Sequence, residues 1–164
     1  MKINIQNLER NLLEVEGEID SDFLGSEIRV FYPNRIKVSA KLDKFGKDYK
    51  IDVLIQTQAE YVCDRCLIQY THDFNAQLNQ VYHTGNRGEE VDADIIELPA
   101  NAIEIDITPI INEAFVLHHP IKMVCQDNCQ GMCTECGADL NREKCTCAED
   151  AVDPRWAELK KIIK

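Results

Sequence analysis

Residues 35–78, "RIKVSAKLDKFGKDYKIDVLIQTQAEYVCDRCLIQYTHDFNAQL", decide the fold. In residues 35–42, Ile36, Val38, Ala40 and Leu42 alternate with Arg35, Lys37, Ser39 and Lys41. That is the period of a half-buried strand with a basic outer face. The next stretch, "DKFGKD", reads as a turn with Gly46 at its positive-φ position. Residues 49–62 alternate again, with Tyr49, Ile51, Val53, Ile55, Thr57, Ala59 and Tyr61 on one face. The two runs make a hairpin. A third run follows Cys66: Ile68, Tyr70, His72, Phe74, Ala76 and Leu78. The CDRC motif, Cys63–Cys66, therefore sits at a turn between two long strands. A shorter strand, roughly Leu13 to Ile19, joins the same sheet.

Beyond this stretch the pattern changes. Residues 84–94, TGNRGEEVDAD, read as an exposed loop. A helix follows near residues 108–118. Thr108 is its expected N-cap and Pro109 its first residue, with Ile111, Ala114, Phe115 and His118 on one stripe and Pro120 as its end. The tail DPRWAELKKIIK predicts a second short helix, capped by Asp153 and started by Pro154, with Trp156, Leu159 and Ile163 on one side. The expected fold class is α+β: a mainly antiparallel, barrel-like β-sheet core, one or two helices, and a cysteine-rich zinc-knuckle module. The expected domains are a β-rich core over 1–120 and a zinc module with a C-terminal helix over 121–164, packed on that core.

The chain has 164 residues, which suits one domain with a small appendage. No window approaches the apolar length of a membrane span, and the N-terminus lacks the pattern of a secretory signal. A cytoplasmic protein is expected, with its thiols reduced. The net charge of −11 argues against a protein coated with positive charge for nucleic acid. The average hides an asymmetry. From Arg29 to Lys50 there are seven basic residues and two acids, whereas Glu89 to Glu113 holds eight acids and no Lys or Arg. Arg35, Lys37, Lys41, Lys44 and Lys47 are the candidate nucleic-acid contacts, with Tyr32, Phe45 and Tyr49 nearby. The bland alternative is solvated surface for both runs.

All eight cysteines lie in two stretches: Cys63 and Cys66, then Cys125, Cys129, Cys133, Cys136, Cys145 and Cys147. In a reduced compartment, paired CxxC spacings point to metal rather than disulfides. Zn²⁺ takes four thiolates tetrahedrally, and each local pair supplies two. Cys145-x-Cys147 is the nearest second pair for Cys133 and Cys136, which leaves Cys125 and Cys129 for Cys63 and Cys66. That predicts two structural Cys₄ zinc sites. Other pairings also satisfy the count, and Cys129 can trade places with Cys145 or Cys147. Free thiols, a redox pair at Cys63 and Cys66, and an iron–sulfur cluster are the competing readings.

His118 and His119 read as helix-end surface residues favoured by the negative pole of the helix. His72 and His83 read as structural. The chain has no Walker loop, GxGxxG or GxSxG. No small-molecule substrate is therefore expected, and the protein is expected not to be an enzyme.

The CDRC turn after a long strand, the helix "DITPIINEAFVLHHP", the segment "CQDNCQGMCTECGADLN" and the closing "DPRWAELKKI" together resemble the YceD family of bacterial proteins. The resemblance runs from about residue 30 to the end, with Met132 where relatives commonly carry Leu. It implies a factor in the synthesis, processing or stability of large-subunit (23S) ribosomal RNA, a role in ribosome biogenesis. It implies no catalytic residue. The partners expected on this reading are rRNA or the pre-ribosomal large subunit, and a basic ribosomal protein held by the acidic run. Two other function classes compete: a zinc-ribbon interaction module in transcription, and a thiol redox or chaperone protein.

Overall fold

The computed structural model describes residues 1–6, 8, 12–88 and 94–147. The chain divides into two compact units. One comprises Met1–Tyr61 and Gln69–Met123; the other comprises Val62–Ile68 and the chain from Val124 onward.

The first unit is built from β1 (Lys2–Asn4), β2 (Leu12–Ile19), α1 (Ser26–Arg29), β3 (Ile36–Phe45), β4 (Asp48–Val62), β5 (Gln69–Thr84), β6 (Ile95–Leu98), β7 (Glu104–Asp106) and α2 (Thr108–His118). The last residue of β4, Val62, falls in the second unit. A five-stranded sheet runs in the order β2-β3-β4-β5-β6, and β1 pairs with β7 in a separate two-stranded sheet. β2, β3 and β4 are antiparallel neighbours, with Val15 opposite Ala40 and Ala40 opposite Val53. β6 lies parallel to β5. The fold is α+β and mostly antiparallel. Among the described residues the sheet is open, with β2 and β6 as its edges, so the expected barrel-like closure is not found. Alternation specifies which face of a strand is buried, but not whether the outermost strands meet.

The alternating residues do what their period dictates. Ile36, Val38, Ala40 and Leu42 of β3, with Tyr49, Ile51, Val53, Ile55, Ala59 and Tyr61 of β4, are buried on one face. The ten-residue β3 and fifteen-residue β4 turn through Gly46 at φ 64°, as the sequence predicts. Phe74 and Ala76 of β5 continue the buried face. α2 covers it, burying Ile110, Ile111, Ala114 and Phe115. Phe115 stacks on Phe74 with ring centroids 5.0 Å apart and an interplanar angle of 8°, and meets Tyr32 edge-on at 4.7 Å.

Three local details differ from expectation. The residue preceding α2 is Ile107, whose side chain caps nothing. The Asp106 carboxylate takes that role, accepting from the Thr108 backbone N–H at 2.9 Å and its hydroxyl at 2.6 Å. Burial opposes ionisation of Asp106, yet these donors hold its pKa below the usual carboxylate value. His118 is exposed rather than on the apolar stripe, and Ile110 takes the inward place. His119 is not a plain surface residue. It sits 4.9 Å from the Phe31 ring, with Nδ1 3.1 Å from the Tyr32 hydroxyl, and burial lowers its pKa. That Tyr32 hydroxyl also lies 2.9 Å from the Tyr61 hydroxyl, so both buried phenols are partnered. His83 is held by Asp48 at 2.6 Å.

β1, β7 and α1 are three or four residues long, too short for a period to show. The predicted C-terminal helix at Asp153–Ile163 and residues 89–93 of the acidic loop lie outside the described residues.

Candidate metal centres and the basic face

β4 ends in a knuckle. The Cys63 N–H donates to Ile68 O at 2.9 Å and the Leu67 N–H donates to Cys63 O at 2.9 Å. The second CxxC folds identically: the Cys133 N–H donates to Ala138 O at 2.8 Å and the Gly137 N–H to Cys133 O at 2.9 Å. The residue after the second cysteine has a positive φ in both, 59° at Leu67 and 75° at Gly137. Gly137 adopts this region freely. Leu67 does so at a cost of about 1–2 kcal/mol, which the surrounding turn must hold. Gly137 is a residue such a turn favours; its twin position at Leu67 carries no glycine to signal it.

These knuckles bring the sulfurs into two groups, Cys63, Cys66, Cys125 and Cys129, and Cys133, Cys136, Cys145 and Cys147. Within each group the four sulfurs lie within 4.8 Å of one another. Cys63 is 3.9 Å from Cys129, and Cys66 is 3.6 Å from Cys125. Cys145 stands 3.3 Å from Cys133 and 3.6 Å from Cys136. Those are the same two quartets that sequence spacing favours, and Cys129 does not trade places. A disulfide needs sulfurs about 2.0 Å apart, so all eight are free thiols. Four sulfurs about 2.3 Å from one tetrahedral ion stand about 3.8 Å from each other, close to what is found. The spacing suits a single ion better than a cluster, whose thiolates bind separate irons. Each group could hold a metal ion.

The electrostatics of the sulfurs point the same way. Burial works against ionising Cys63, but N–H groups of Cys125, Cys66 and Arg65 outweigh it and bring the thiol down to about 6. N–H groups of Cys136 and Glu135 likewise lower Cys133 to about 6. Burial, then the neighbouring Cys66 sulfur, pushes Cys125 up to about 12. The Cys145 and Cys136 sulfurs push Cys147 up to about 12. Within each group, backbone N–H groups favour one sulfur as thiolate, while burial and hydrogen bonds to neighbouring sulfurs keep another protonated. A bound divalent cation removes that conflict and lets all four ionise.

The loop between the pairs is pinned by named contacts. The Arg65 guanidinium donates to Cys129 O at 2.8 Å, and Met132 N–H donates to Arg65 O at 2.9 Å. Asn141 donates to the Cys129 sulfur at 3.5 Å and accepts from Gln130 N–H at 2.8 Å. Asp139, which accepts from Asn141, fixes that amide. Such outer contacts orient ligands, and sequence spacing alone does not disclose them. Gly131 sits at φ 81°, and a Cβ there would lie 3.1 Å from Arg65 O. Gly131→Ala is expected to destabilise this unit by about 1–3 kcal/mol. Thermal melts check this against Gly25→Ala, where a Cβ meets nothing within 4 Å and stability should hold.

The basic set is placed differently from its linear reading. Lys37 and Lys41 do point outward, but β2 sets Glu18 opposite Lys37 and Glu14 opposite Lys41. On the other side, Asp52 of β4 faces Lys41. Arg35 lies 3.9 Å from Glu18 and 3.6 Å from Asp20. Tyr32 and Tyr49 are buried and cannot stack on a base, whereas Phe45 is 67 % exposed. Lys44, over the Tyr49 ring at 5.5 Å, and Lys47 flank Phe45 at the hairpin tip, past the last β2–β3 pair at Leu12 and Asp43. In the acidic run, Asp106 is used by α2, and Glu104 pairs with Lys2. Among the described residues, no helix is long and apolar enough to cross a membrane.

Comparison with known proteins gives the family. Residues 51–163 match the family model of the large ribosomal RNA subunit accumulation protein YceD. The chain is 36% identical over 66 residues to the chloroplastic large ribosomal RNA subunit accumulation protein YCED homolog 1 of Arabidopsis thaliana. The match covers 40% of this chain and 21% of that protein. It is 28% identical over 144 residues to protein YlbN of Bacillus subtilis (strain 168), covering 86% of this chain and 80% of that one. The homolog 1 protein of Zea mays is 42% identical over 55 residues, 33% of this chain and 19% of the relative. The matched stretch is thus about a fifth of the length of the plant relatives. No solved structure matches the chain. Matched over well more than half its length, the chain belongs to the YceD family of large ribosomal RNA subunit accumulation proteins.

Proposed function

We infer that the protein is a non-enzymatic cytoplasmic factor that supports the synthesis, processing or stability of large-subunit ribosomal RNA. In this reading its eight cysteines hold two structural zinc ions. The match of residues 51–163 to the family model carries the functional part. Sets of four sulfurs support the structural part: they fill the coordination of a tetrahedral zinc and leave no position for water or substrate. The acids opposite Lys37 and Lys41, with a net charge of −11, favour action through a protein of the assembling subunit over a broad RNA footprint. Direct RNA contact is then confined to the hairpin tip at Lys44, Phe45 and Lys47.

The test is the ratio of large- to small-subunit rRNA in cells depleted of the protein. A selective fall in the large-subunit species, restored by the wild-type chain, supports this function. An unchanged ratio refutes it and gives the lead to a zinc-ribbon interaction module.

A further inference from the structure

β2 is one edge of the five-stranded sheet. Its eight residues, Leu12–Ile19, pair with β3 on one side, and among the described residues no strand pairs with the other. An edge of this kind offers a row of free backbone N–H and C=O groups. Its two faces are chemically distinct. Leu13, Val15 and Ile19 are half-buried at the margin of the core, while Glu14, Glu16 and Glu18 are exposed on the outer face.

β3 already shows what pairs with this strand. It sets apolar Ile36, Val38, Ala40 and Leu42 on the face of Ile19, Gly17, Val15 and Leu13, and sets Lys37 and Lys41 opposite Glu18 and Glu14. Glu16 faces Ser39 and has no basic residue across from it. A second copy of this chain adding through the same edge would bring three glutamates against three glutamates, and like charges across strands are destabilising. The strand's own charge thus selects against self-pairing and for a strand of opposite sign.

We propose that the outer edge of β2 is a docking site for a basic, extended segment of a partner protein, which adds to the sheet as a sixth strand. The segment alternates Lys or Arg, set against Glu14, Glu16 and Glu18, with aliphatic residues that cover Leu13, Val15 and Ile19. Main-chain hydrogen bonds supply the attachment and the alternation supplies the selectivity. This identifies the kind of protein contact favoured above, and it stands or falls independently of the rRNA effect.

The probe is a synthetic seven-residue peptide of alternating lysine and valine, added to the full chain. It is expected to bind with salt-sensitive affinity and to slow hydrogen exchange of the amides within residues 12–19. Glu16→Lys, which removes no existing cross-strand ion pair, is expected to weaken binding at least fivefold. The triple change of Glu14, Glu16 and Glu18 to Lys should abolish it. A peptide N-methylated on the edge that faces β2 should fail to bind, while one methylated on the opposite edge binds normally. No binding, equal binding by both methylated peptides, or binding without protection of residues 12–19 overturns the proposal. In that event the glutamates serve only to keep the edge from self-pairing.

Discussion

Metal removal should unfold the second unit and leave the first folded. A strong zinc chelator is expected to abolish hydrogen-exchange protection in residues 62–68 and 124–147, while amides of β3, of β4 up to Tyr61 and of α2 stay protected. The separation follows from where the driving force lies. The first unit buries Ile36, Leu42, Ile51, Ile55, Ile111 and Phe115 in one apolar cluster. Among the described residues of the second unit, the buried hydrophobic positions are Cys63, Cys66 and Cys129. So small a body lacks the apolar area to fold on burial alone. Structural zinc contributes roughly 10–16 kcal/mol of binding free energy at neutral pH, enough to make that unit conditional on metal. Cys63→Ser and Cys133→Ser should each remove one centre. The pH dependence has a definite sign. Metal and protons compete for the same sulfurs, and Cys125 and Cys147 hold their protons most tightly, near 12, when no cation is present. Affinity therefore rises with pH, and acidification releases the metal. A chelated chain whose 124–147 amides remain protected would contradict this reading.

Phe115→Ala should be the most damaging single change in the first unit. The ring is fully buried, stacked on Phe74 and edge-on to Tyr32, so truncation leaves a cavity between α2 and the sheet. The expected loss is about 3–5 kcal/mol, a large share of the about 5–15 kcal/mol that holds a typical domain. Chemical denaturation of the metal-loaded protein measures it. The contrast is Val116→Ala, one residue along the helix, where the side chain is 53 % exposed and a change within about 0.5 kcal/mol is expected.

The long strands and α2 were legible because each is longer than several repeats of its own period. The fifteen residues of β4 leave no doubt about which face is buried. The quartets were legible because local cysteine pairs must share a turn, and two such pairs complete one tetrahedron. Short elements were not, since three residues of β1 or β7 define no period. The closure of the sheet was not, because it depends on edge strands that sequence alternation does not relate. The surroundings of the basic face were not legible for a related reason. Reading along the chain counts Lys37 and Lys41 together, yet their electrostatic neighbours are Glu18, Glu14 and Asp52, which come from other strands. Neither Asn141 donating to Cys129 nor Arg65 clasping the same loop could be found from spacing, because both are set by how the knuckles fold.

Metal content of the full chain, purified without added metal and weighed intact under non-denaturing conditions, is the most direct test of the paired four-cysteine centres. The predicted result is two zinc ions per chain, falling to one in Cys63→Ser and to one in Cys133→Ser, with thiols that resist alkylation until chelator is added. A chain that carries no metal and whose eight thiols alkylate freely would contradict it.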